Sequence, residues 1–220
     1  AFPSAAVTVS VEDDSEWKDK WKEFFKPAKI TDKLVVKPTW ESYEPENGEK
    51  VIEIDPGMAF GTGTHETTSL CLKLMEKYMK SGDHVLDVGC GSGILSIGAA
   101  LSGAEKTLAI DIDPEAVKVS EENIELNKCR DRVEVRQGNL IDGVDFKADI
   151  VLANLMADLV KMLSGYVSSA LKPGGIYISS GILLEKEEEV SGVIKDCGFD
   201  IIEVQRDGMW CAIAARDSRR

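Results

Sequence analysis

From about Val51 onward, apolar and polar positions follow two rhythms that take turns along the chain. Short strand-like runs, "HVLDVG", "TLAIDID", "VEVRQGN", "ADIVLANL" and "GIYISSG", are separated by stretches with helical spacing near residues 67–80, 93–103, 114–127, 156–171 and 184–197. Strand and helix repeated in this order predict right-handed crossovers and a mainly parallel, doubly wound α/β sheet. "ADIVLANL" is almost continuously apolar, as a central strand covered on both faces has to be. After the last helix, "DIIEVQR" and "MWCAIAAR" are joined only by "DG". That dipeptide is a hairpin signal, so the sheet is expected to close with an antiparallel pair, for seven strands in all.

The first fifty residues follow a different pattern. "VTVSV" alternates like a short exposed strand, and "DDSEWKDKWKEFFKP" reads as a linker helix with Asp14 or Ser15 at its N-cap and Pro27 beyond its end. Trp17, Trp21, Phe24 and Phe25 fall at helical spacing, a stripe that docks on the neighbouring domain, with a partner-binding face as the alternative. The expected division is residues 1–50 as an N-terminal remnant with the linker helix and 51–220 as the α/β domain. The chain opens with Ala, in "AFPSAAVTVSVEDD", which reads as mid-protein and suggests a fragment or a processed form.

Composition narrows the classes. A chain of 220 residues that is 43% hydrophobic can fill the core of one large domain. Its 26 basic and 39 acidic residues give a net charge of −13, so phosphate-backbone binding meets repulsion and a basic macromolecular partner fits better than nucleic acid. Cys71, Cys90, Cys129, Cys197 and Cys211 are odd in number and never spaced C-x-x-C, which points to a reducing cytoplasm rather than a disulfide framework or a zinc knuckle. No apolar run reaches the roughly 18 residues that a membrane helix needs.

"DVGCGSG", Asp87 to Gly93, follows the first buried strand and opens a helix. Gly89, Gly91 and Gly93 allow a tight turn and let a ligand lie against bare backbone at a helix N-terminus. Asp111 ends the second strand, where a carboxylate accepts hydrogen bonds from both hydroxyls of a ribose. A dinucleotide loop has G-x-G-x-x-G, whereas here Gly93 comes one residue early and Ile94 takes the last glycine's place, so NAD is demoted.

The stretch "DPGMAFGTGTHETT", Asp55 to Thr68, suggests a phosphate cradle or a metal site. It has no lysine, which removes a Walker loop, and the residue four after His65 is Ser69, which removes the zincin H-E-x-x-H. No metal ligand set is visible. What remains is a glycine- and threonine-rich segment that caps the helix near 67–80, placing Thr67 or Thr68 in its first turn beside the crevice.

Taken in order, "DPGMAFGTGTHETT", "DVGCGSGILSI", "AIDIDPEAV", "EEN", "VLANL" and "SSGIL" resemble the bacterial methyltransferases that modify the eleventh protein of the large ribosomal subunit at its amino groups. These enzymes belong to the class I S-adenosylmethionine-dependent methyltransferases, with a Rossmann-like fold. The likeness runs from about Trp17 to Ala215. It implies that Thr68, Gly89, Asp111 and Asn154 contact S-adenosylmethionine, with Asp87, Gly91 and Gly93 in the same loop. It also implies that Phe60, Gly61 and Thr62 cover the methionine end, and that a basic ribosomal protein is the substrate.

Amine methylation is an in-line displacement that needs placement and a neutral amine, not a nucleophilic triad. In related amino- and amide-methylating enzymes, Asn-Pro-Pro-Tyr at the end of strand four orients the target nitrogen through a side-chain oxygen and the following carbonyl. This chain has Asn154, Leu155, Met156 and Ala157 there, which puts a planar substrate in doubt and leaves a flexible aliphatic amine. Asn154 and Leu155 are therefore the candidate catalytic positions, the alternative for Asn154 being a strand-end turn residue. Asp87 either holds the cofactor's ammonium through water or fixes the loop. Asp113, before Pro114, is read as an N-cap; His65 and Glu66 as helix-start polarity, with acceptor contact as the alternative; Trp40 and Trp210 as core or rim aromatics rather than substrate platforms; and Ser180 and Gly181 as structural, with the border of an acceptor channel as the alternative. The competing functions are a methyltransferase for another protein or a small molecule, and a nucleotide-binding interaction module without catalysis.

Overall fold

The computed structural model describes residues 25–46, 48–55 and 65–218. "VTVSV" and most of the expected linker helix lie outside the described residues; of its aromatic stripe only Phe25 is described, its ring meeting Trp40 edge-on at 6.5 Å.

The main sheet contains β4 (His84–Val88), β5 (Lys106–Asp111), β6 (Val133–Gln137), β7 (Ala148–Asn154), β8 (Leu171–Leu183), β9 (Phe199–Asp207) and β10 (Trp210–Asp217). Their spatial order is β6-β5-β4-β7-β8-β10-β9. Only β10 runs against its neighbours, β8 and β9. The expected antiparallel hairpin is present: Asp207 pairs with Trp210 across Gly208 and Met209, and Gly208 takes a φ of 56°. The returning strand inserts inside the sheet, which leaves β9 at the edge.

Helices cover both faces. On one lie α1 (Glu66–Tyr78), α2 (Ile94–Ser102) and α3 (Pro114–Leu126); on the other lie α4 (Ala157–Ser164) and α5 (Glu187–Asp196). The continuous apolar run of β7 is explained by this double cover: Ile150 and Leu152 enter the first core, Val151 and Ala153 the second. The helical pattern expected over 156–171 divides at Gly165, a poor helix former, into α4 and a 3₁₀ turn at Val167–Ala170.

Sequence patterning missed a second sheet, β1 (Ala28–Lys29), β2 (Leu34–Pro38) and β3 (Lys50–Ile54), in which β2 and β3 are parallel. Leu34, Val36, Ile52 and Ile54 are buried in the core that α1 and α2 share. The expected division at residue 50 therefore runs through a parallel strand pair.

Candidate functional site

Strand order reverses between β4 and β7, the switch point at which doubly wound sheets bind ligands beyond their strand ends. A cleft of about 760 Å³ opens there. Its rear wall is the glycine turn after β4. Gly89 has a φ of 75°, which disfavours any side chain, and a Cβ at this position would lie 2.5 Å from Leu155 Cδ2, so a substitution strains the turn and displaces the Leu155 side chain. Asp111, at the end of β5, accepts from the Gly91 N–H at 2.9 Å through Oδ2 and from the Asp113 N–H at 3.0 Å through Oδ1. Each of its oxygens keeps a further lone pair for a donor in the cleft.

The front wall is the start of α1. His65 is its N-cap, with Nδ1 accepting from the Thr67 N–H at 3.3 Å and lying 2.9 Å from Thr67 Oγ1. Its ring meets the Trp210 ring edge-on at 5.3 Å, and both line the cleft. Thr68 is fully buried, and its Oγ1 accepts from Asn154 Nδ2 at 3.3 Å. Ser180 Oγ donates to the Thr67 carbonyl at 2.8 Å, tying the same helix start to β8. Gly181, with φ 81°, lies against the turn after β7: an added Cβ would be 2.4 Å from the Leu155 carbonyl oxygen and 3.1 Å from Asn154 Oδ1.

Of the expected site residues, Thr68, Gly89, Gly91, Asp111, Asn154 and Leu155 all line this cleft. Asp87 and Gly93 are placed otherwise. Asp87 is fully buried beneath α2, and its Oδ2 accepts from Ser96 N at 3.1 Å and Ser96 Oγ at 2.6 Å. Its Oδ1 has no hydrogen-bond partner among the described residues, and burial pushes the carboxyl up to about 7 against the pull of the two Ser96 bonds. This geometry is that of a residue fixing the loop to the helix. Gly93 is the left-handed N-cap of α2 and packs against Ser120. Phe60, Gly61 and Thr62 lie outside the described residues. Asp113 caps α3 by accepting from the Glu115 N–H at 2.9 Å, as its position before Pro114 predicted.

Several contributors went unread in the sequence. Ile112, Met156 and Met162 are 65%, 73% and 57% exposed and form an apolar rim of the cleft. Leu140, also in the lining, has a φ of 50°, a strained conformation for a leucine of the kind that collects at binding sites. No local signal marks it. A second, more polar hollow of about 420 Å³ includes Lys106, Thr107, Arg132 and Val133, at the starts of β5 and β6, away from the strand ends where such sheets bind ligands. Among the described residues no group of three or more His, Cys, Asp or Glu is placed to hold a metal, all five cysteines are free thiols, and no helix is long and apolar enough to cross a membrane.

Residues 2–218 match the family described as ribosomal protein L11 methyltransferase. The sequence is 51% identical to the ribosomal protein L11 methyltransferase of Clostridium botulinum (strain Eklund 17B / Type B) over 203 residues, which are 92% of this chain and 64% of that protein. The chain thus spans just under two thirds of that relative's length. The crystal structure of a ribosomal protein L11 methylase from Lactobacillus delbrueckii subsp. bulgaricus superposes with a TM-score of 0.83 at 33% identity, covering 89% of this chain and 100% of that one. A putative methyltransferase complexed with SAH, 13% identical with a TM-score of 0.60 over 70% of this chain and 50% of its own, shares the fold alone. With nearly its whole length inside the family's pattern, this chain belongs to the ribosomal protein L11 methyltransferase family.

Proposed function

We propose that the chain binds S-adenosylmethionine in the cleft between the glycine turn and the start of α1, and transfers its methyl group to amino groups of ribosomal protein L11, at lysine side chains, the N-terminal amine, or both. The observation that carries this reading is the convergence of Gly89, Asp111, Thr68 and Asn154, from four separate elements, on one mostly apolar cleft. Residues 51–220 then form the methyltransferase domain, with β1 and β2 packed on it.

The donor set fits the cofactor. Asp111 has lone pairs left for ribose hydroxyls, Gly89 leaves backbone bare, and Ile110, Ile112 and Leu140 offer an apolar slot for a base. Bound there, the cofactor supplies an electrophilic methyl group on a sulfonium. The chain's part is placement and desolvation. The Asn154 amide donates its N–H to Thr68, which turns Oδ1 toward the role of acceptor for the substrate's N–H. The Leu155 carbonyl, in the turn that Gly181 leaves room for, is a second acceptor. A free lysine titrates near 10.4 and is protonated at neutral pH; the apolar wall of Leu155, Met156 and Trp210 lowers that value and favours the neutral amine. Asn154 has no basic group, so it orients the amine without taking its proton. The net charge of −13 suits a basic protein substrate.

Two measurements test the proposal. Calorimetry is expected to show micromolar binding of S-adenosylmethionine, and a preference for NAD would overturn the cofactor. Incubation of a full-length form with labelled cofactor and ribosomal protein L11 is expected to label lysine or the α-amine, with weaker or no labelling by this chain, which spans 64% of its relative's length; no transfer by the full-length form would overturn the substrate.

A further inference from the structure

One face of α3 is polar where a helix packed on a core is normally apolar. Ser120, Asn123 and Asn127 fall on it at helical spacing, and Ser120 and Asn123 are buried. Every one of the three binds backbone. Asn127 Nδ2 donates to the Glu53 carbonyl at 2.6 Å, and Asn127 Oδ1 accepts from the Glu53 N–H at 2.9 Å. One helical turn earlier, Asn123 Nδ2 donates to the Asp55 carbonyl at 3.0 Å, and Asn123 Oδ1 accepts from the Asp55 N–H at 2.9 Å. A primary amide carries the same donor and acceptor as a peptide group, so the two side chains stand in for a strand along the edge of β3 that β2 leaves open.

The two asparagines differ in one respect. The second N–H of Asn123 donates to the Ser92 carbonyl at 2.9 Å, inside the glycine turn, and Ser120 Oγ holds the adjacent Gly91 carbonyl at 2.8 Å. One side chain, 1% exposed, thus joins Asp55, just beyond β3, to the glycine turn that forms the rear wall of the cleft.

We propose that Asn123 is a positioning residue for the cofactor: it fixes the spacing between the Asp55 end of β3 and the glycine turn, while Asn127 binds the Glu53 backbone and the Asn123 carbonyl, with no bond to the glycine turn. The inference rests on the cofactor reading of the cleft.

The test is calorimetric titration of the chain with S-adenosylhomocysteine, beside thermal melts, for wild type, Asn123→Ala, Asn127→Ala and Asn123→Asp. Asn123→Ala is expected to weaken binding by about tenfold or more, the effect of one lost positioning bond. Asn127→Ala is expected to lower the melting temperature while leaving affinity within about twofold. Asn123→Asp gives a readout that general destabilisation does not: an ionised carboxylate faces the Asp55 and Ser92 carbonyls without a donor, whereas the protonated acid restores one. Its affinity relative to wild type is therefore expected to recover on going from about pH 8.5 to about pH 5.5. The titratable groups on the elements packed around this position, Glu53, Asp55, Asp87, Cys90 and Asp111, are common to both proteins, so the ratio at each pH isolates residue 123. Wild type that binds no S-adenosylhomocysteine overturns the cofactor reading. Wild-type binding with Asn123→Ala binding equally well, or with Asn123→Ala and Asn127→Ala losing affinity alike, or with an Asn123→Asp ratio that does not change with pH, overturns the positioning role alone.

Discussion

Asn154 Nδ2 donates to Thr68 Oγ1 at 3.3 Å, a bond between residues 86 positions apart that sets which atom of the Asn154 amide faces the cleft. Thr68→Val keeps the shape of the side chain and removes the acceptor, freeing the amide to rotate. Methyl transfer is expected to fall by about tenfold in kcat/KM, the equivalent of roughly 1.4 kcal/mol, with Thr68→Ser close to wild type. Steady-state transfer to ribosomal protein L11, with a melting curve for each variant, checks it.

Gly181→Ala acts on the same turn from the other side. Its Cβ would sit 2.4 Å from the Leu155 carbonyl oxygen, on a backbone with φ 81° that disfavours any side chain. The contact is with backbone, so the turn itself has to move. A loss of about 1–3 kcal/mol in urea unfolding is expected, together with a drop in kcat larger than any change in cofactor affinity.

Asp111→Asn tests the rear wall. The carboxylate holds Gly91 N and Asp113 N and is the proposed acceptor for ribose hydroxyls. An amide keeps the size but loses the charge and one acceptor, which for hydrogen bonds to a charged group amounts to roughly 1.5–3 kcal/mol, or about 10- to 100-fold in Kd. Calorimetry with S-adenosylmethionine measures it; unchanged affinity would remove Asp111 from the binding set.

Asp87 makes stability depend on pH in a direction opposite to that of most carboxylates. Burial raises its folded value to about 7, above the roughly 3.9 of an unfolded aspartate. The folded state therefore holds more protons between those values, and its stability falls as pH rises from about 4 to about 7. Glu203, held down to about 2 by Lys77, Tyr78 and Gln205, loses its contribution only as pH falls below about 4.5, so the two windows separate. Urea unfolding at about pH 5 and about pH 7.5 is expected to show wild type weaker at the higher pH, with the difference reduced in Asp87→Asn. Equal pH slopes for both proteins would contradict the assignment.

Local pattern carried much of the site. The glycine turn and the acid ending β5 are read from short stretches because strand ends and turns impose local chemistry, whereas the asparagine ending β7 is picked out by the family resemblance. His65 first suggests a metal ligand; the cap it forms depends on one N–H two residues away, and the sequence already favoured helix-start polarity. Asp87 sits in the binding motif, yet strand alternation turns it to the face covered by α2, where Ser96 meets it. That outcome depends on which helix covers that face, which motif spacing does not encode.

By itself the sequence determined the alternation of elements and the closing hairpin, and marked the glycine turn and the acid ending β5 as candidates, since periodicity and turn residues act over a few positions; Asn154 is added by the family resemblance. Only the tertiary structure decided that β10 inserts between β8 and β9, that β2 and β3 join the domain, and that Asn123 and Asn127 complete a strand edge. These are contacts between segments far apart in the chain, where burial forces each polar group to find whichever partner the packing brings to it.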